Sequence, residues 1–167
     1  MTGTAQAALQ PSICFVAHNA LASLAGHNQQ HAGGIERQQS TMATWLAARG
    51  WKVSMVTWDD EPDGPSRYHG VAVHPMCGRD AGLPVLRFLY PRWSSLNRAM
   101  SQADADLYYY NCGDLGLGQV VLWGKRRGRP VVFSVPSDPD CDPALPARDS
   151  MRERLLYRYG LNHCDHI

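Results

Sequence analysis

Several signatures of common protein classes are absent from this 167-residue sequence. No apolar run approaches the roughly 20 residues that a membrane-spanning helix needs, and the N-terminus lacks the basic and apolar regions of a signal peptide. The five cysteines are odd in number and form no CxxC pair, which argues against a disulfide framework and fits a reducing cytosol. A net charge of +1 gives no strong positive field for nucleic acid. A cytoplasmic protein without a nucleic-acid partner is therefore predicted.

Short apolar runs alternate with amphipathic stretches along most of the chain. After a tail over 1–12, which we expect to be flexible, strands are predicted at 13–17, 53–58, 68–76, 106–110 and 130–135. Helices are predicted at 35–49, 83–103, 115–127 and 150–162, the second of them kinked or split at Pro91. This alternation predicts one Rossmann-like α/β domain over 13–167, a three-layer α/β/α fold. Its mostly parallel sheet should have about five strands in the order 3-2-1-4-5.

Two consecutive glycines separate the first predicted strand from the first predicted helix. Gly33 and Gly34 have no Cβ atoms, so a ligand can approach their backbone closely. The helix start behind them offers unpaired N–H groups and the positive end of the helix dipole, which suit a diphosphate. The alternative is a glycine pair that only forms a tight turn. Neither the GxGxxG nor the Walker pattern is present, which disfavours a nicotinamide-dependent dehydrogenase.

The segment 33–60 resembles the opening of family 4 glycosyltransferases. The likeness is carried by the glycine pair, by Glu36, by the stretch LAARG at the helix end and by Thr57 at the end of the next strand. The segment 155–167 is similar to the last helix of that family's acceptor domain. The resemblance implies a GT-B enzyme of two Rossmann-like domains. Such enzymes transfer a sugar, here of the hexosyl type, from a nucleotide sugar to an acceptor, with retention of configuration and with no metal or other cofactor.

The resemblance also implies which part of the enzyme this chain represents. We expect the acceptor-binding domain, with the donor-binding domain missing after Ile167, so that the chain alone is inactive. The amides of Gly33 and Gly34 would stabilise the departing diphosphate. The expected partners are a nucleotide sugar and a glycan or lipid-linked acceptor in polysaccharide or glycolipid assembly. A non-catalytic Rossmann-like binding module is the alternative function.

The histidines that many family members carry near the ends of the fourth and fifth strands have no counterpart here. Polar residues at the same strand ends replace them. The candidate catalytic residues are therefore Asn111, Ser137 and Asp138. The candidate acceptor-binding residues are His18, Glu36 and Asp140. For the two aspartates after the fifth strand, helix capping or turn formation around Pro139 is the alternative.

Two further segments each allow two interpretations. The segment 83–98 mixes apolar, aromatic and basic residues, so it either lies at the inner face of a membrane beside a lipid-linked acceptor or packs on the sheet. The segment 163–166 contains histidine, cysteine and aspartate. A terminal tail or the start of a strand explains it better than a metal site, and no metal site is predicted.

Overall fold

The computed structural model describes residues 10–27, 33–64, 66–84, 86–141 and 150–167. The strands are β1 (Ser12–Val16), β2 (Lys52–Thr57), β3 (Arg67–Tyr68), β4 (Val71–Pro75), β5 (Leu107–Tyr110) and β6 (Val131–Phe133). The helices are α1 (Leu21–Leu24), α2 (Gly34–Ala47), α3 (Ser94–Ala103), α4 (Gly116–Arg127) and α5 (Met151–His163). Together they form the predicted three-layer α/β fold. None of the described helices is long and apolar enough to cross a membrane.

The sheet contains six strands in the order β3-β4-β2-β1-β5-β6. The four parallel pairings are those predicted: they join β4, β2, β1, β5 and β6 in that order. The additional strand is β3, which pairs antiparallel with β4. A hairpin at His69 and Gly70, with φ of 48° and 85°, divides the predicted strand 68–76 into these two pieces. Positive φ at both central residues is the geometry of a tight hairpin turn.

Further differences from the sequence prediction include those at β1, at α1 and in the helix predicted over 83–103. β1 begins at Ser12, inside the predicted tail 1–12, whose residues 1–9 lie outside the described part of the chain. α1 is a single turn within a stretch predicted to be loop. The helix predicted over 83–103 is regular only from Ser94, because Tyr90 is extended (φ −135°, ψ 123°) before Pro91. Proline disfavours helical backbone in the residue that precedes it.

Both faces of the sheet are buried, as a central parallel sheet requires. In β5 the side chains of Tyr108 and Tyr110 pack among residues of α3, α4 and α5, whereas Tyr109 packs on the opposite face with α1 and α2. The hydroxyl of Tyr108 donates to the carbonyl of Met100 at 2.8 Å and accepts from the amide of Ala105 at 3.2 Å. The buried phenol is therefore paired, and this run of three tyrosines is tolerated in the core.

The helices α4 and α5 approach each other so closely that their backbones touch. A Cβ atom added to Gly118 would lie 2.1 Å from the carbonyl oxygen of Leu156, and one added to Gly160 would lie 2.4 Å from Cγ of Leu117. Both glycines are buried. This contact packs the middle of α5 on the first turn of α4, which begins at the edge of the sheet where ligands bind in such folds.

Candidate functional site

The loops that follow β5 and β6 and the start of α2 meet at the carboxyl edge of the sheet. Burial raises the pKa of the Cys112 thiol to about 12, and the negative charges of Asp114, Glu36 and Asp140 act in the same direction. Three carboxylates from three segments therefore lie within electrostatic reach of one thiol. A thiol with so high a pKa is not a nucleophile at neutral pH.

The glycine pair lies at the start of α2. Gly33 is the residue before the helix, with φ −64° and ψ 164°, and no side chain among the described residues caps the helix there. Gly34 opens the helix, and a Cβ atom added to it would have nothing within 4 Å. Neither glycine has a positive φ, so the backbone conformation does not require glycine at either position. The backbone angles therefore give the tight-turn alternative no support.

The side chain of Glu36 folds back over this helix start. A Cβ atom on Gly33 would lie 2.3 Å from Oε2 of Glu36. A carboxylate in the first turn is favoured by the helix dipole. The same end of α2 that suits a diphosphate is thus beside a negative group of the protein itself.

Asn111 lies beneath the start of α2, at the end of β5. It is only 1% exposed, and its amide donates to Oε1 of Gln38 at 3.4 Å and to the hydroxyl of Tyr109 at 3.5 Å. Its carbonyl oxygen, like Nε2 of the buried Gln39, has no partner within the described chain. Buried oxygen atoms without a hydrogen-bond partner are uncommon in native proteins, so this atom supports Asn111 as a candidate site residue.

The candidates after β6 divide into exposed and buried residues. Ser137 and Asp138 are exposed, whereas Asp140 is 9% exposed and accepts a hydrogen bond from Oγ of Ser137 at 2.6 Å. A Cβ atom on Gly113 would clash with the Asp140 carboxylate, at 1.9 Å from Oδ1. Through this contact, Asp140 packs the loop after β6 against the loop after β5. The catalytic and acceptor-binding roles of these residues stay predictions.

A cleft of about 420 Å³ opens beside these loops. Its lining comes from residues just after β1, β2 and β4, from the segment before α3 and from the first turns of α4 and α5. The residues that define this cleft include His18, Trp58, Arg87, Phe88, Arg92, Asp114, Gly116, Arg152 and Glu153. From the sequence, His18 is a predicted site residue, and a place at the membrane is one alternative for the segment 83–98. Sequence patterns do not bring them together with the first turns of α4 and α5, because these segments are far apart in the chain.

His18 is the candidate residue that lines this cleft. Its ring centroid lies 5.3 Å from that of Trp58 and 6.1 Å from that of Tyr110. Its Nε2 atom is buried and has no partner within the described chain. Burial lowers the pKa of His18 below the usual 6.5; the charge of Asp114 opposes this shift and that of Arg79 adds to it. The neutral imidazole can donate or accept a hydrogen bond to a ligand.

Acidification is expected to destabilise the domain. Burial also lowers the pKa of His74, with Lys52 and Arg67 acting in the same direction. Both histidines therefore bind protons more readily in the unfolded chain. The free energy of unfolding should be highest above the usual pKa of about 6.5 and should fall as the pH drops through the folded-state values.

Urea denaturation at about pH 7.5 and about pH 5.5 measures this difference. The double substitution of His18→Gln and His74→Gln should reduce it. If the double variant shows the same pH dependence as the unsubstituted chain, groups other than His18 and His74 cause it.

The terminal segment 163–166 shows the start of a strand beside β6. His166 forms a parallel bridge with Val132, and the carboxylate of Asp165 accepts from Nζ of Lys125 at 2.6 Å and from the amide of Val131 at 2.9 Å. These contacts support the strand interpretation. Across the described ranges, no group of three or more histidine, cysteine or acidic side chains is placed to hold a metal ion.

Comparisons with known proteins agree with this architecture. Residues 33–167 match the family model described as the glycosyl transferase 4-like domain. Among solved structures the chain is similar to sucrose-phosphate synthase from Thermosynechococcus elongatus, with a TM-score of 0.55 and 17% sequence identity. That match covers 93% of this chain but only 41% of the synthase, so it bears on the fold alone. No curated protein matches the sequence significantly. Because the family model spans most of its length, the chain belongs to the glycosyl transferase 4-like domain family.

Proposed function

We propose that this chain is the acceptor-binding domain of a retaining glycosyltransferase. The enzyme would transfer a hexosyl unit from a nucleotide sugar to a glycan or lipid-linked acceptor in polysaccharide or glycolipid assembly. The observation that carries this proposal is the open start of α2, where Gly33 and Gly34 are exposed although their backbone angles do not require glycine. Close approach of a ligand would explain Gly34, where an added Cβ atom has nothing within 4 Å.

The position of this helix start fits the chemistry of glycosyl transfer. β1 lies between β2 and β5, so the strand order reverses beside it, and ligands of open α/β sheets bind at such a point. Negative charge develops on the donor diphosphate as its bond to the sugar breaks. The unpaired amides and the positive dipole end of α2 would stabilise that charge. In this proposal the helix supplies the positive charge, and neither a metal nor another cofactor takes part.

The cleft of about 420 Å³ that His18 lines would hold the acceptor, and we call it the acceptor cleft. His18 lies in its wall, and its neutral imidazole could bind a sugar hydroxyl. Asn111, Ser137 and Asp138 remain the proposed catalytic residues on the neighbouring loops, with Glu36 and Asp140 as further acceptor contacts. Of these, the exposed Ser137 and Asp138 are accessible to a ligand without rearrangement.

We also propose that the segment 83–98 contacts the cytoplasmic face of a membrane. Leu83, Leu86, Leu89 and Tyr90 are between 57% and 74% exposed, and Met151 and Leu155 of α5 are exposed as well. A patch of exposed apolar side chains with arginines beside it suits a surface of anionic lipids. The acceptor cleft is lined by the same segment, which would present a lipid-linked acceptor to it.

A fusion of this chain to the donor-binding domain of a two-domain family member tests the transferase proposal. Incubation with nucleotide sugars and candidate acceptors should release nucleoside diphosphate only when both domains are present, and a chelator should not stop it. The product should keep the anomeric configuration of the donor, as judged by NMR. Release by the donor-binding domain alone, or an inverted product, would contradict the proposal. Ligand binding without transfer would favour the binding-module alternative.

A further inference from the structure

Three arginines line the acceptor cleft. Arg87 and Arg92 belong to the segment before α3, and Arg152 lies in the first turn of α5. The guanidinium of Arg152 is 4.1 Å from the ring centroid of Phe88, so α5 begins directly against that segment. Three arginines from two distant parts of the sequence thus line one cavity, and arginine is the side chain best suited to bind phosphate or carboxylate.

Two nitrogen atoms of this cleft have no hydrogen-bond partner in the described residues. Nη2 of Arg92 donates to the carbonyl of Arg79 at 2.6 Å, but Nε of Arg92 is buried and unpaired. Nε2 of His18, another residue of the lining, is also buried and unpaired. Leaving a buried polar group without a partner costs about 1–3 kcal/mol. Two such nitrogens on residues that line one cavity favour a ligand that brings oxygen atoms.

The three arginines in the lining outnumber its two carboxylates, Asp114 and Glu153. Oδ1 of Asp114 accepts from the amide of Gly116 at 2.7 Å and from the hydroxyl of Tyr110 at 2.5 Å. Asp114 is thus bound to the start of α4. The remaining acidic residue, Glu153, lies in the first turn of α5, where the helix dipole stabilises its charge. With His18 neutral, the cleft keeps a net positive charge.

An aromatic ring lies next to these cationic groups. The guanidinium of Arg92 is 5.5 Å from the ring centroid of Trp58, and Trp58 is half-buried. An indole face is an apolar surface on which a sugar ring can pack, while its neighbours bind the charged substituent. The cleft volume of about 420 Å³ falls within the range of about 300–1,000 Å³ that small-molecule sites occupy.

We infer that the acceptor cleft binds a phosphorylated acceptor, with its phosphate between Arg87, Arg92 and Arg152 and its sugar ring against Trp58. This inference rests on the proposed function, because it names the chemical class of the acceptor. The phosphate is either that of a soluble sugar phosphate or that of a lipid-linked one. The shared chemistry is a phosphate ester attached to a polyhydroxylated group.

Binding of glucose 6-phosphate and of glucose to the full chain, measured by calorimetry or NMR, tests the soluble form. Glucose 6-phosphate should bind at least about tenfold more tightly than glucose. Arg87→Ala and Arg152→Ala should each weaken that binding by about tenfold. Both side chains are at least partly exposed, and neither variant leaves a core cavity. Sedimentation with vesicles of phosphatidylcholine and phosphatidylglycerol tests the lipid-linked form with the same variants.

Arg98→Ala is the matched control, since Arg98 is exposed on α3 and lies outside the cleft. Loss of either kind of binding in the two cleft variants but not in Arg98→Ala supports the inference and identifies the source of the phosphate. The inference is overturned if glucose 6-phosphate binds no better than glucose and vesicle binding does not depend on the cleft arginines. It is also overturned if Arg98→Ala reduces binding equally.

These measurements need no glycosyl transfer, so they separate the two proposals. Transfer by the fusion protein to a neutral acceptor, at a rate unchanged by Arg87→Ala and Arg152→Ala, would leave the proposed function standing and remove this inference. Phosphate binding that depends on the arginines, without any transfer, would support phosphate binding in the cleft and contradict the proposed transferase function.

Discussion

Replacing Gly118 with alanine is expected to lower the free energy of unfolding by about 3 kcal/mol, the upper end of the usual cost of overpacking. The new methyl group would lie 2.1 Å from the carbonyl oxygen of Leu156 and 2.6 Å from its carbonyl carbon. Both are backbone atoms, so no side-chain rotation can make room. The helices α4 and α5 must separate, which disrupts the packing of the fully buried Tyr157 and Leu117. Urea denaturation followed by circular dichroism measures the loss.

Gly34→Ala is the control for this experiment. It makes the same chemical change in a helix, at a position where the new methyl group has nothing within 4 Å. Alanine is favoured over glycine in helices by up to about 1 kcal/mol, so stability should stay the same or rise slightly. If both variants unfolded at the same urea concentration, the close contact between α4 and α5 would be incorrect.

Replacing Gly34 with valine is expected to lower glycosyl transfer by the fusion protein by about 100-fold, the effect of displacing reacting groups by about 1 Å. The site around Gly34 is open and its φ is not positive, so the fold should tolerate the larger side chain. The isopropyl group would instead occupy the space through which a diphosphate reaches the amides of α2. Steady-state kinetics should show the loss in kcat/KM, and thermal unfolding should show little change.

A second glycine at the same edge of the sheet provides the control for the kinetic experiment. Gly78 follows β4, has no positive φ, and also has nothing within 4 Å of an added Cβ atom. Gly78→Val should leave transfer close to that of the unsubstituted fusion protein. Equal activity of Gly34→Val and Gly78→Val would mean that α2 does not contact the donor.

The central sheet could be predicted from the sequence because its strands are short apolar runs with little ambiguity. β1 is buried at every position, and such a run is diagnostic in an α/β chain. The sequence prediction failed where local geometry depends on one or two residues. The left-handed His69 and Gly70 turn one predicted strand into a hairpin, and Gly70 was the available signal. α1 has only four residues, too few for periodicity to be visible.

The residues of the site could be predicted only in part, because their proximity depends on how the helices pack as well as on where the strands end. Gly33, Gly34 and His18 lie next to strand or helix ends, and the carboxyl edge of a parallel sheet brings such residues together. Arg92 and Arg152 are far apart in the sequence, and they share the acceptor cleft because α5 packs on α4 through Gly118 and Gly160. No spacing pattern encodes such a contact. Asn111 was expected at the ligand-facing edge, yet it is buried beneath α2, which only the packing of that helix determines.

The carboxylate of Glu36, folded back over Gly33, bears on how a spent nucleotide would leave. A diphosphate and this carboxylate would compete for one positive helix end, because two anions so close together repel each other. We therefore expect Glu36 to swing outward when a donor enters and to return as the product departs. On its return, the Glu36 carboxylate would take the place of the departing diphosphate at the positive helix end. The exposed amides would then be stabilised by a protein side chain as well as by water. Product release would therefore be easier, and turnover would be faster than if the diphosphate stayed tightly bound.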